Sequence, residues 1–296
     1  MDAKSRRIAV IGSTGQLGSD LAQFLSGSGR YQVTPISRDR LDVAARQNIV
    51  QVLGEDRFDV VVNCAAFTRV DDCEDRPGEA LRVNAQGAFE IARACSQAGA
   101  LCVFISTDFV FGGDKGSPYV EEDPPAPINV YGTSKLAGEY LVRQACQRWL
   151  IVRIASVFGK SGSRGKGGNF IEAILAKARA GGPVRVVDDI WMSPTYTMDA
   201  AVILDRLIQA EATGLYHAAN LGRCTWFEFA QEAIRMVDLN TEIEPISCDL
   251  YPSKARRPKD SSMMSLRVER ASGFSPRPWR EALRNYLVEK GHIKIR

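Results

Sequence analysis

The sequence predicts an α/β fold in which helices cover both faces of a parallel sheet and a smaller, discontinuous C-terminal unit follows. Short β-branched runs alternate with longer stretches of helical periodicity through the first half. A glycine-spaced turn follows the first of those runs directly. Beyond residue 158 the alternation loosens into glycine-, proline- and arginine-rich connections between isolated helical stretches.

Taken in order, strands are expected at 7–11, 33–36, 59–62, 101–106 and 150–154, near-continuous apolar runs of the kind that parallel sheets bury on both faces. Amphipathic stretches at 17–25, 78–98 and 131–147 are long enough for right-handed crossovers between them. A Gly-rich loop at 161–168 leads into a helix at 169–180. Two later stretches, 184–187 and a helix at 198–210 with its strand at 215–218, are expected to return to the sheet. The tail carries helices at 226–236 and 279–290. The division this implies is 1–158 plus about 184–222 for the sheet domain, and about 159–183 plus 223–296 for the smaller one.

The 296 residues are 45% hydrophobic and 25% charged, which supplies a large core and excludes a disordered chain. A net charge of +3 excludes a general nucleic-acid surface, so no nucleic-acid partner is expected. The run Lys254-Ala-Arg-Arg-Pro-Lys259 either meets a phosphate or forms a solvated loop. Seven cysteines without a CxxC pair read as reduced thiols in a cytoplasmic protein. Two histidines and no HExxH leave almost no ligands for a transition metal, so no metal is expected. The polar N-terminus and the absence of a run of about 18 apolar residues predict neither a signal peptide nor a membrane partner.

Gly12, Gly15 and Gly18 sit at the turn from the first strand into the first helix. Two glycines there let the backbone turn and approach a diphosphate at the helix N-terminus, and the third lets helix and strand pack closely. The spacing therefore predicts dinucleotide binding on a Rossmann fold. After the second strand stand Ser37 and Arg38 in place of an acidic residue. A hydroxyl and a cation suit a ribose 2′-phosphate, which predicts NADPH, with NADH as the other candidate.

The fourth strand ends at Thr107, where ligand crevices of open α/β sheets lie. Tyr131 and Lys135 follow four residues apart, stacked on one helical face. On spacing alone Lys135 pairs equally well with Glu139.

With the threonine and YxxxK together, the sequence resembles the extended short-chain dehydrogenase/reductase family. The resemblance implies that Tyr131 exchanges a proton with a substrate oxygen, that Lys135 tunes it and holds the nicotinamide ribose, and that Thr107 orients the carbonyl. It also implies that Asn84 supports the lysine through water. A nearly end-to-end match runs through Gly12-Ser-Thr-Gly-Gln-Leu-Gly18, Asn63-Cys-Ala-Ala66, Ser106-Thr-Asp-Phe-Val-Phe111, Tyr131-Gly-Thr-Ser-Lys-Leu-Ala-Gly-Glu139, Gly168-Asn-Phe170, Ser193-Pro-Thr195 and Arg257-Pro258. It resembles the branch formed by the dTDP-4-dehydrorhamnose reductases, which reduce the 4-keto group of a nucleotide-linked 6-deoxyhexose. By that resemblance Thr14, Gln16 and Leu17 join the three glycines at the cofactor, as do Asp42, Val43, Ala65, Ala66 and Thr68. Asp108, Phe109, Asn169, Pro194, Thr195 and Arg257 join Thr107 and Tyr131 on the substrate side. A homodimer is left open as the assembly.

Two departures fall on the substrate side. Ser156 stands near a usual tryptophan, for which Trp191 is a candidate replacement, and Ser261-Ser-Met-Met264 replaces a usual Ser-x-Leu-Asp. Competing outcomes are a nucleotide-sugar epimerase and a non-catalytic NADP-binding subunit resembling the regulatory subunit of methionine adenosyltransferase. A 4,6-dehydratase is disfavoured because Asp108-Phe109 lacks the Asp-Glu pair that elimination needs.

Overall fold

The computed structural model describes residues 5–162, 168–251 and 253–294, so most of the expected Gly-rich loop, 163–167, lies outside the described residues. In chain order the strands are β1 Arg6–Ile11, β2 Tyr31–Ile36, β3 Val60–Asn63, β4 Leu101–Thr107, β5 Trp149–Ile154, β6 Val157–Phe158, β7 Val184–Val187, β8 Trp191–Met192, β9 Thr195–Tyr196, β10 Gly214–Ala218, β11 Cys224–Thr225 and β12 Ile243–Ile246. The helices are α1 Gln16–Gly27, α2 Arg46–Glu55, α3 Val70–Asp75, α4 Pro77–Leu81, α5 Gly87–Ala98, α6 Val130–Ala145, α7 Phe170–Ala180, α8 Thr197–Gln209, α9 Trp226–Met236, α10 Leu266–Ser272 and α11 Trp279–Glu289.

Six strands form one sheet in the order β10-β5-β4-β3-β1-β2, every pairing parallel. Alternating side chains give it two apolar faces. Ile8, Val10, Val103 and Val152 pack with Leu21 and Leu25 of α1 and Leu204 and Leu207 of α8. On the other face Ala9, Ile11, Val61 and Phe104 meet Ile91 of α5 and Val142 of α6. Both faces are covered, as a parallel sheet requires. The five expected strands and the late return through α8 and β10 are all present.

The stretch 184–187 does not return to this sheet, contrary to expectation. β7 pairs in parallel with β12, and Val184 and Val186 are buried against α7 and α9 through Leu175 and Ala233. Arg185 between them is exposed. One buried face suits a two-stranded edge, whereas an inner strand of the large sheet would be apolar on both. The same core takes Phe158, Phe229, Trp279 and Tyr286, with Phe229 and Trp279 edge to face at 5.6 Å.

The expected continuous helix over 78–98 is interrupted. A π-turn, Arg82–Gln86, separates α4 from α5 and carries Asn84 inward at 1% exposure.

Candidate active site

At the end of β1 the chain turns through Gly12, whose φ is +75°. A Cβ there would lie 2.8 Å from Ala65 N, so the turn and the loop after β3 approach as only glycine permits. Gly12 N and Ser13 N donate to Ile36 O at 2.9 and 3.2 Å, which fastens the turn to the end of β2. At Gly18 a Cβ would collide with Gly12 O, so this glycine seats α1 under the turn. Gly15 is the N-cap, contributing no side chain, and no acidic residue occupies the first turn of α1. The positive end of the helix therefore faces the sheet's carboxyl edge with its N–H groups uncapped by side chains, which fits an anionic diphosphate.

Thr14 is exposed at the tip of the turn. Gln16 sends Nε2 to Val157 O at 2.8 Å and Leu17 packs into the core, so both offer the turn main chain only. Ser37 is half-buried, and Arg38 is exposed with no ion pair among the described residues. Asp42 Oδ1 accepts from Ala44 N at 3.0 Å and Val43 is buried. Ala65, Ala66 and Thr68 are half-buried along the loop after β3.

Thr107 is the last residue of β4 and is 5% exposed. Its hydroxyl donates to Asp108 Oδ1 at 3.0 Å and accepts from Phe109 N at 3.2 Å. α6 begins beside it because Asn129 caps the helix, Oδ1 accepting from Gly132 N at 2.8 Å. Gly132 allows the close approach, since a Cβ there would collide with Phe109 O. Tyr131 consequently lies against the Phe109 ring, edge to face at 5.9 Å. Burial pushes its phenol well above the usual value, the Asp108 and Cys73 charges add to the rise, and a hydrogen bond with Thr107 opposes it.

Lys135 is 1% exposed, with Nζ donating to Ile105 O at 2.6 Å and lying 4.0 Å from the Phe104 ring centroid. Burial lowers its pKa to about 7, against the pull of Glu139 and Cys64 in the opposite direction. Glu139 is not its hydrogen-bonded partner. That carboxylate takes Arg153 in a two-point pair at 2.9 and 2.7 Å and Ser106 Oγ at 2.6 Å. Asn84 touches neither pair: its Oδ1 accepts from Phe67 N at 2.8 Å, and Nδ2 donates to Phe67 O and Ser134 Oγ at 3.1 and 2.9 Å. It ties the loop after β3 to α6.

The remaining candidates are held more tightly by the protein than the sequence suggested. Asn169 caps α7, accepting from Glu172 N at 3.1 Å and donating to Gly159 O and Tyr286 Oη. Arg257 forms a fork with Asp71 at 2.9 and 3.2 Å, which lowers the Asp71 pKa. Pro194 and Thr195 are buried, and Thr195 N donates to Ser156 O at 3.3 Å. Ser156 itself has φ +38°. Trp191 is half-buried under Arg223, 4.6 Å from its guanidinium carbon.

Ser261 was not singled out for the site, yet its hydroxyl donates to Asp108 Oδ2 at 2.6 Å. The resemblance marked it only as the start of the departing stretch Ser261-Ser-Met-Met264, and its partner lies 153 positions away. Asn129 carried a readable signal as an N-cap residue just before a helical run. Among the described residues no group of three His, Cys, Asp or Glu side chains could hold a metal ion.

A glycine turn at β1, a threonine ending β4 and a Tyr–Lys pair beside it on the next helix place the protein among the extended short-chain dehydrogenases/reductases. Within that class the chain belongs to the family described as RmlD substrate binding domain, which matches residues 6–291. It is 38% identical to the spore coat polysaccharide biosynthesis protein SpsK of Bacillus subtilis, over 96% of this chain and 98% of that one. It is 37% identical to the dTDP-4-dehydrorhamnose reductase of Mycobacterium tuberculosis, over 97% and 94%. Among solved structures it is similar to the dTDP-4-dehydrorhamnose reductase of Bacillus anthracis in complex with NADP. That match has a TM-score of 0.90 at 35% identity and covers 96% of this chain and 99% of the other.

Proposed function

We propose that the protein reduces the 4-keto group of a nucleotide-linked 4-keto-6-deoxyhexose with NADPH, and that its substrate is dTDP-4-dehydrorhamnose, reduced to dTDP-L-rhamnose. The observation that carries this is the meeting of Thr107 and Tyr131 at the carboxyl edge of β4, on the same sheet edge as the glycine turn. Family membership supplies the substrate class.

The uncapped N-terminus of α1 and the close turn at Gly12 fit a dinucleotide diphosphate. Exposed Arg38, which has no ion pair among the described residues, fits a 2′-phosphate. NADPH, when bound, supplies a hydride to the sugar C4. The Thr107 hydroxyl, turned away from Asp108 Oδ1, would donate to the ketone oxygen and orient it. As C4 receives the hydride, Tyr131 Oη gives its proton to O4, and the carbonyl becomes a hydroxyl. Burial keeps the phenol protonated at neutral pH, which is the form a proton donor needs. Arg257 lies on the expected substrate side, and its fork with Asp71 would have to open or share for it to meet a diphosphate. A homodimer belongs to this proposal as the assembly, read by sedimentation equilibrium.

Purified protein incubated with NADPH and a panel of nucleotide 4-keto-6-deoxy sugars is expected to consume NADPH with the dTDP sugar. Tyr131→Phe should keep NADPH affinity within a few-fold and lower kcat by about 10²–10⁴. Unaltered turnover in that variant would refute the proton-donor role.

A further inference from the structure

Three buried side-chain atoms among the described residues have no hydrogen-bond partner, namely Arg153 Nη1, Glu121 Oε2 and His217 Nε2, and all three lie in one region behind the catalytic helix. Ser106, Arg153 and His217 are register partners across β4, β5 and β10, so they stand side by side on one face of the sheet. Glu121 Oε1 accepts from His217 N at 3.2 Å. The Arg153 guanidinium and the His217 ring both lie against Phe111, at 5.0 and 5.7 Å. Glu121, Glu139 and Arg153 also line a cavity of about 200 Å³ beside α6.

Tyr131, Lys135 and Glu139 are spaced i, i+4, i+8 and stack along one face of α6. Lys135 reaches the Ile105 carbonyl and Glu139 the Ser106 hydroxyl, so successive turns of the helix are fastened to successive residues of the strand that ends in Thr107.

We infer that Arg153 and Glu139 are positioning residues for the Tyr131–Lys135 pair. Their ion pair holds α6 in register with the end of β4 and keeps the Glu139 carboxylate from joining Lys135. This rests on the proposed reductase reading, in which Tyr131 gives the proton, and on the place beside it that the family resemblance gives Lys135. A pair with Arg153 2% and Glu139 5% exposed and with two-point geometry has little room to rearrange. Lys135 is faced by Cys64 from the loop after β3, by Phe104 and Ile105 from β4, and by Tyr131 and Glu139 from its own helix. Arg153 from β5 stands behind Glu139, and His217 from β10 stands next to Arg153. Burial and the Arg153 charge hold His217 neutral, so it adds no second cation.

The charges give opposite signs for two variants. Glu139→Gln removes the carboxylate that favours Lys135 ammonium, so the Lys135 midpoint should fall by about one pH unit. Arg153→Met leaves that carboxylate unneutralised beside Lys135, so the midpoint should rise by a similar amount. The midpoint is read by NMR titration of the Lys135 Cε signal in ¹³C-lysine-labelled protein, which requires no turnover. A failed reductase reading therefore shows as an inactive wild type, while the positioning inference is still decided by the titration. Shifts in the same direction, or no shift in folded variants, would overturn it.

Because either single change strands a buried charge, the double variant Glu139→Gln/Arg153→Met is the companion test. It should fold, keep a midpoint near that of the wild type, and lower kcat about 10-fold or more with KM for the sugar little changed. Wild-type kcat in the double variant would equally overturn the inference.

Discussion

Tyr131 is a phenol whose protonation is set by where the chain puts it. Burial dominates its shift, and Lys135, the tuner that the resemblance implies, donates to Ile105 O in this structure. Whether Lys135 serves Tyr131 or pairs with Glu139 could not be resolved from spacing, since i, i+4 geometry serves both. Arg153 and Ser106 resolve it by occupying Glu139 from two strands. His217 gives a separate consequence. Its folded pKa lies at about 3 against an ordinary 6.5, mainly because burial disfavours the imidazolium. Between those values the unfolded chain binds the extra proton, so stability falls as pH drops, by up to about 1.4 kcal/mol per unit. His217→Gln cannot take up that proton. Urea unfolding at pH 7.5 and 5.0 should show the wild type losing about 2 kcal/mol more than the variant across that interval. Equal losses would contradict a neutral buried histidine.

Among the elements, β1 to β5 and the helices α1, α5 and α6 were legible because each carries its own pattern and each glycine of the turn has a local reason, whereas α2 and α3 were not read from the sequence. The extent of β7 was legible but its pairing was not, because the sequence Val184-Arg-Val-Val187 is short and its partner β12 lies some sixty residues on. Asn169, which the resemblance places on the substrate side, stands before an apolar helical run and caps it in the structure, a local signal of the kind that Asn129 also carries. The π-turn at Asn84 left no periodic signature either, as one widened turn shifts the apolar face only slightly. Glycine geometry is open to a matched test. Gly18→Ala would drive a Cβ into Gly12 O, whereas Gly54 in α2 has nothing within 4 Å of an added Cβ. Gly18→Ala should cost about 1–3 kcal/mol and weaken NADPH binding. Gly54→Ala should gain about 0.5–1 kcal/mol and leave binding alone. Thermal unfolding with and without NADPH reads both, and a Gly18→Ala protein of unchanged stability and affinity would contradict the close-packed turn.

Across the whole molecule, the sheet supplies one edge where a glycine turn, Thr107 and the first turn of α6 all open. The chain from Trp191 onward lays a second set of residues over that edge: Ser261 reaches Asp108, and Asn129 Nδ2 donates to Arg256 O at 2.9 Å. The sequence revealed the first set through motifs. It left the second obscure because those contacts join residues more than a hundred positions apart, and because the substrate-side segments depart from the family pattern at Ser156 and after Ser261. No helix among the described residues is long and apolar enough to cross a membrane. The most direct measurement is a stoichiometric one. The protein is mixed with NADPH and dTDP-4-dehydrorhamnose, oxidation is followed by absorbance, and the sugar product is identified by NMR. One NADPH consumed per dTDP-L-rhamnose formed is the expected result; isomerised sugar without NADPH loss, or bound NADPH with no turnover, would contradict it.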